Sequence, residues 1–346
     1  MTTGIDPQLP DLKKLSREQL AALLGSLGQP SWQAEEVRRF LFAKGAASVA
    51  GLTTLPKKTR EALAQRSTIS VPEVAARRTG ADGTTKLLLR FGDGAACETV
   101  LMPQGKRLTQ CLSSQAGCAL GCAFCRTGEL GLTRNLHWSE IVDQWLAARR
   151  ELPRSLRVTN LVFMGMGEPL LNRESVAEAV RFLTSPAGGG IAAGRVTIST
   201  AGIVPGIEWL GENVPHVKLA VSLNAPEDAL RSRLMPVNRR YPLRELLAAL
   251  RRYPTGRRPI TIEYVLLGGV NDTPALAAKL SRLLRGLRCK INLIPFNAHS
   301  GLPYAAPAAG AVLAFQQRLR ADGLTATVRR SQGADIGAAC GQLGGR

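Results

Sequence analysis

From residue 107 onward the chain alternates between short runs rich in Val, Ile and Leu and longer segments of helical character. The runs LTQCLSS, TNLVFMG, RVTIST, VKLAVSL, ITIEYVLL and KINLIPF read as strands, and helices start after them near Ser139, Ser175, Pro205, Leu243, Pro274 and Ala308. Strands that are apolar on both faces belong to a parallel sheet covered by helices, so the fold class is α/β. Six strand–helix units fall short of the eight that close a barrel, which predicts a partial (β/α)6 barrel. In such folds ligands gather at the carboxyl ends of the strands.

Upstream the pattern is different. SREQLAALLGSLG begins at Ser16, carries Glu18 in its first turn and stops at glycine, as a capped helix should. SWQAEEVRRFLFAKG repeats that logic from Ser31 to Gly45, and a third helix is expected over Lys57 to Arg66. VPEVAARR, TTKLLLRF and CETVLM are extended runs separated by GADG and GDG turns, the pattern of an antiparallel unit. The expected organisation is a small helical N-terminal accessory domain over 1–70, a β-extension over 71–106 and a catalytic partial barrel over 107–346.

A composition of 45% hydrophobic and 21% charged residues excludes a disordered chain. No run of 18 apolar residues suggests a membrane span, and MTTGIDPQLPDLKK lacks the basic start and apolar core of a secretory signal, so a cytoplasmic protein is expected. Lys and Arg exceed Asp and Glu by 45 to 26, a net +19. Residues 251–346 carry 14 basic against 4 acidic residues, over half of that excess. A field of this sign favours a polyanion, and folded nucleic acid is the commonest one in the cytoplasm. An Arg-rich composition with no such partner is the competing reading.

Seven cysteines stand at 97, 111, 118, 122, 125, 289 and 340. An odd count points away from a disulfide framework and toward metal or redox chemistry. Cys118, Cys122 and Cys125 form a C-x3-C-x2-C run just after the first barrel strand. Three thiolates cannot complete a structural zinc site by themselves but suit a [4Fe–4S] cluster with one open iron. A zinc site borrowing a distant ligand is the alternative. Gly117 and Gly121 would let the loop wrap a cluster closely. Met164-Gly-Met-Gly-Glu-Pro169 ends the second strand in a glycine turn whose Glu168 can hold an ammonium. Cys97 and Cys289 lie in apolar runs and read as core, while His137, His216 and His299 match no metal-ligand spacing.

The cysteine run followed by that turn resembles the signature of radical S-adenosylmethionine enzymes. The resemblance narrows with Cys97-Glu-Thr-Val-Leu101, Cys111-Leu-Ser-Ser-Gln-Ala-Gly-Cys118, Ser222-Leu-Asn-Ala-Pro, Leu234-Met-Pro-Val-Asn-Arg-Arg-Tyr-Pro, Asn292-Leu-Ile-Pro-Phe-Asn297 and Gly333-Ala-Asp-Ile-Gly-Ala-Ala-Cys340-Gly-Gln-Leu. Together these resemble the RlmN/Cfr family of radical RNA methyltransferases, which modify an adenine of 23S rRNA.

The resemblance implies that the open iron of the cluster chelates S-adenosylmethionine. It implies Gly167, Glu168, Ser199, Ser222, Leu223, Asn224 and Asn297 as cofactor contacts, with Asn224 standing where the family usually has His. Glu98 is implied as proton acceptor and Cys111 and Cys340 as catalytic thiols. One S-adenosylmethionine would methylate Cys340, and a second would give the radical that activates that methyl group for addition to the adenine. Glu98 would then remove the ring proton, and a disulfide between Cys111 and Cys340 would release the product.

Implied partners are 23S rRNA, a tRNA as second substrate and an external electron donor such as a flavodoxin-type reductant, with the protein acting as a monomer. The spelling LRSRLMPVNRRYPL leans toward methylation at C2. Methylation at C8 is the alternative within the family, and an RNA-binding protein with a structural iron–sulfur loop is the alternative outside it. Arg239, Arg240, Arg251, Arg252, Arg257 and Arg258 are candidate phosphate contacts, against a reading as solvated helix faces. The N-terminal helices are candidates for reading RNA shape.

Overall fold

The computed structural model describes residues 9–153, 155–256, 258–298 and 301–344. The N-terminal segments fold as three short helices, α1 (Arg17–Gly25), α2 (Gln33–Arg38) and α3 (Lys57–Ala64). Ser16 caps α1 by accepting from the Gln19 N–H at 3.1 Å, and the Gln19 side chain returns to the Ser16 N–H at 2.9 Å. The box is therefore closed by Gln19, while Glu18 takes the Ser16 hydroxyl at 2.8 Å. Helix α2 starts on Trp32 with no side-chain cap, so Ser31 does not play the part its position suggested. It widens over Arg39–Ala43, where the Lys44 N–H reaches the Arg39 carbonyl at 3.1 Å.

Strands β1 (Glu73–Thr79), β2 (Thr85–Arg90) and β3 (Ala96–Gln104) form an antiparallel meander, and β3 turns back onto β4 (Arg107–Cys111). A two-stranded ribbon, β5 (Gln115–Gly117) with β6 (Leu132–Asn135), then brackets the cysteine loop and a single helical turn, α4 (Arg126–Glu129). The sheet resumes through α5 (Trp138–Glu151), β7 (Asn160–Phe163), α6 (Arg173–Thr184), β8 (Val196–Thr200), α7 (Val204–Asn213) and β9 (Lys218–Ser222). It continues through α8 (Asp228–Leu234), α9 (Leu243–Arg252), β10 (Ile260–Leu266), α10 (Pro274–Leu283), β11 (Cys289–Pro295), α11 (Ala309–Ala321) and β12 (Ala326–Val328).

Strands β4, β7, β8, β9, β10, β11 and β12 pair in that order, all parallel. The six expected strands are all present, joined by a seventh, β12, and the meander continues the same sheet through β3 and β4. The helices cover the sheet by amphipathic spacing. In α9, Leu243, Leu246, Leu247 and Leu250 are buried while Arg251 and Arg252 are exposed. Each such leucine contributes roughly 1.5–3 kcal/mol by leaving water.

Two further features position the site. The N-terminal module is fastened to the barrel by a buried ion pair, Lys13 to Asp143 of α5 at 2.6 Å. Phe42 also packs against Trp138 and Phe182. After β12 the chain runs back as a strap. Gln332 bonds the Pro103 carbonyl, the Gly333 N–H bonds Asp82, Asp335 takes the Ala81 N–H, and Thr127 bonds the Leu343 carbonyl. The strap thereby ties the antiparallel meander to the cysteine loop. Among the described residues no helix is long and apolar enough to cross a membrane.

Candidate active site

Cys118, Cys122 and Cys125 sit half-buried on one wall of a cavity at the carboxyl ends of β7 to β11. Gly117 has a φ of 80°, and a Cβ there would collide with the Gly131 carbonyl that accepts from the Cys118 N–H at 2.8 Å. The loop is pinned to α8 by the Ala123 N–H on the Leu234 carbonyl. Burial pushes the Cys118 thiol up to about 11 and raises Cys122 and Cys125 as well. The three cysteines line the same wall of that cavity. Three thiolates on one wall suit a cluster in which each binds a different iron.

The glycine turn faces this wall. Gly167 has a φ of 95°, and a Cβ there would lie 2.5 Å from Gln115 Cβ. The Glu168 carboxylate is buried and accepts from the Ala201 N–H at 2.7 Å and the Leu170 N–H at 3.1 Å. Burial raises its pKa to about 7 against the lowering pull of those bonds. Ser199, Ser222, Asn224 and Asn297 line the same cavity, as does Glu263 of β10. Among the described residues Glu263 Oε2 and Asn297 Nδ2 are buried without hydrogen-bond partners. One acceptor and one donor left unmet in a cavity are what a polar ligand would satisfy. The residues present therefore fit a thiolate-held cluster with a polar cofactor beside it. Glu263 was not anticipated, although an acid inside the apolar run ITIEYVLL is a visible signal.

Leu223 is fully buried in the core and does not line the cavity. Its N–H bonds the Glu263 carbonyl, and its own carbonyl accepts from Arg231. Arg231, also unanticipated, is fully buried and bonds the carbonyls of Ala201, Ser222 and Leu223 together with Asn238 Oδ1. One guanidinium thus fixes the ends of β8 and β9. Asn224 adopts a left-handed φ of 59°, which Asn tolerates better than bulkier residues, and its Oδ1 takes the Val265 N–H at 2.8 Å.

Cys111 ends β4 and shares a second, smaller cavity with Cys340 of the strap, Met164 and Arg329. Both cysteines are free thiols. Burial, and next the neighbouring Cys340, push the Cys111 thiol up to about 12. Cys340 also lines the cofactor-side cavity. Glu98 is 1% exposed and lines neither cavity. Its Oε2 accepts from the Gly344 N–H at 2.8 Å, beneath the strap.

The candidate phosphate contacts divide between the two ends of the barrel. Arg239 and Arg240 precede α9 on the cavity side. Arg251 and Arg252 end α9 and Arg258 lies in the segment that leads into β10, so all three are at the opposite end, because a chain segment entering a parallel strand sits at its amino end. Arg252 there pairs with Glu208. Arg257 and His299 lie outside the described residues. Cys97 is fully buried, and His137 caps α5, accepting from the Ser139 N–H.

The Radical SAM superfamily profile matches residues 112–279. A dual-specificity RNA methyltransferase RlmN from Anaeromyxobacter dehalogenans is 51% identical over 344 residues, spanning 96% of this chain and 91% of that protein. The enzyme of the same name from Syntrophus aciditrophicus is 45% identical over 97% of both chains. A crystal structure of a radical SAM methyltransferase from Sphaerobacter thermophilus superposes with a TM-score of 0.90 at 45% identity, covering 97% of this chain and 100% of that one. At that identity and coverage the chain belongs to the RlmN family of radical S-adenosylmethionine methyltransferases.

Proposed function

We propose that this protein methylates C2 of an adenine in 23S rRNA, and of an adenine in tRNA as second substrate, with Cys340 carrying the transferred carbon. The observation that supports this reading most is the position of Cys340. Among the described residues it is the one cysteine that lines both the cofactor-side cavity and the cavity of Cys111. A thiol so placed can be loaded on one side and resolved on the other.

When bound through Cys118, Cys122 and Cys125, the cluster and S-adenosylmethionine would supply the methyl group and, with electrons from a flavodoxin-type donor, the radical chemistry that an unactivated ring carbon requires. Gly167 and Glu168 would receive the cofactor's amino group, while Ser199, Ser222, Asn224 and Asn297 would hold its remaining polar groups. Leu223 would support that wall from the core. Cys340 would bond the adenine carbon through the transferred carbon, and Glu98 would accept the ring proton. Cys111 would then attack the Cys340 sulfur, forming the disulfide as the bond from sulfur to the new methyl group breaks. Glu98 is covered by the Gly344 N–H, so the strap must lift from it before it can meet RNA.

The test is mass spectrometry of nucleosides from digested rRNA and tRNA of deletion and complemented cells. Loss and restoration of 2-methyladenosine is expected. Appearance of 8-methyladenosine instead would overturn the C2 assignment, and an unchanged nucleoside profile would leave an RNA-binding protein with a structural cluster.

A further inference from the structure

The amino end of the barrel, opposite the cofactor cavity, carries a row of cations that form no salt bridge among the described residues. Lys106 and Arg107 enter β4, Arg195 enters β8, Lys218 opens β9, Arg258 enters β10 and Lys290 lies near the start of β11. The first four line one cavity together with Thr159 and Asn160. Among the described residues none of the six takes part in an ion pair, although Arg252 on the same end does.

The row has built features. The Arg258 guanidinium donates to the His216 carbonyl at 2.8 Å and lies so close over Gly194 that a Cβ there would collide with it. Partial burial, and then the facing charges of Lys290, Arg258, Arg107 and Arg195, push the Lys218 ammonium down. Apart from the attraction between Lys290 and the buried Glu263, these cations face one another, which raises the free energy of the unliganded surface, and an anion relieves it.

We propose that this row is a second RNA-docking surface that binds backbone phosphates on the far side of the barrel from the reacting adenine. Its dimensions favour a polymer over a small anion. Neighbouring strands lie about 4.8 Å apart, so cations spread from β4 to β11 cover roughly 20 Å, room for several phosphates of one strand. Strands of this length separate the row from the cavity by roughly 20 Å more, so an RNA engaged at both would wrap the side of the barrel. The inference rests on the RNA-substrate reading above and adds a contact that reads no bases.

The test compares wild type, Arg107→Ala/Arg195→Ala and Lys218→Ala in binding protein-free 23S rRNA and tRNA at increasing salt. The slope of log affinity against log salt should fall by about one unit per lost phosphate contact. Cleavage of S-adenosylmethionine without RNA and the thermal midpoint should not change. Should the double variant fold poorly, Lys106→Ala/Lys290→Ala at two exposed positions makes the same test. A full slope in the variants, on RNA that the wild type binds, overturns the proposal. So does loss of tripolyphosphate binding with the RNA slope intact, which would mark a small-anion site. A wild type whose salt slope depends on the row but that leaves adenine unmethylated would refute the proposed reaction and keep the docking surface.

Discussion

Lys86 Nζ lies 2.9 Å from Glu98 Oε1, and both side chains are buried. The register places them together. Lys86 stands opposite Val100 and Glu98 opposite Leu88, so the two occupy diagonal positions on one face of β2 and β3. The same ammonium donates to the Gly337 carbonyl at 2.9 Å. One cation therefore holds the proposed base and the strap that carries Cys340.

Replacing Lys86 with Met should destabilise the protein through both contacts. Removing one partner of a buried pair leaves an uncompensated charge and costs about 3–5 kcal/mol. The thermal midpoint should drop, and limited proteolysis within 331–344 should quicken. The double variant Lys86→Met/Glu98→Gln should recover most of the lost stability, because no buried charge remains, but not the protection of the strap. A Lys86→Met protein that melts and resists protease like wild type would show that the tie holds nothing.

How far the sequence was legible follows the range of the interactions. Six barrel strands stood out because each is a compact apolar run, and the helix starts followed from the residues after them. β12 escaped because Ala326–Val328 is too short to show a period, and α8 because it follows β9 within a few residues. The thiols of the cavity wall were readable as a local spacing. Arg231 was not, since its task is to gather carbonyls from two strand ends. Nor was the burial of Glu98, which depends on a backbone group 246 positions away. The location of Arg251 and Arg258 could have been inferred, because residues that lead into a parallel strand lie away from its carboxyl end.

The amino-group contact proposed for Glu168 would make cofactor binding depend on pH. The folded Glu168 carboxyl titrates near 7 instead of the ordinary 4.5 because burial disfavours the charge. The unliganded protein consequently loses stability as pH rises from about 4.5 to about 7, where the folded state holds a proton that the unfolded chain releases. An ammonium pairs with the ionised form, so affinity for S-adenosylmethionine should climb as pH passes through about 7. It should decline again above about 8, where an α-amino group loses its own proton. Equilibrium dialysis from pH 6 to 9 should give that maximum. Glu168→Gln should bind at least about tenfold more weakly and lose the rising limb, a change worth about 1.4 kcal/mol. Retention of the rising limb in Glu168→Gln would assign it to another group.

The two thiols that share the strap-side cavity should fail at different steps. Cys340→Ala has no sulfur to accept a methyl group, so no bond to RNA can form and the purified protein should be free of nucleic acid. Cys111→Ala keeps Cys340 on both cavities and can still be methylated and joined to the adenine. It lacks the thiol that attacks that sulfur, so the adduct should persist. Purified Cys111→Ala should carry RNA that survives denaturant and is removed by nuclease. Peptide mass spectrometry should place the remnant on Cys340. Glu98→Ala should stall at the same stage, because the ring proton stays in place. Burial of Cys111 sharpens the expectation, since a thiol held up to about 12 ionises poorly until the strap moves and exposes it. Adduct decay in wild type should therefore be slowed by a cross-link that pins the strap, and a Cys111→Ala protein that is inactive yet free of RNA would refute this division of labour.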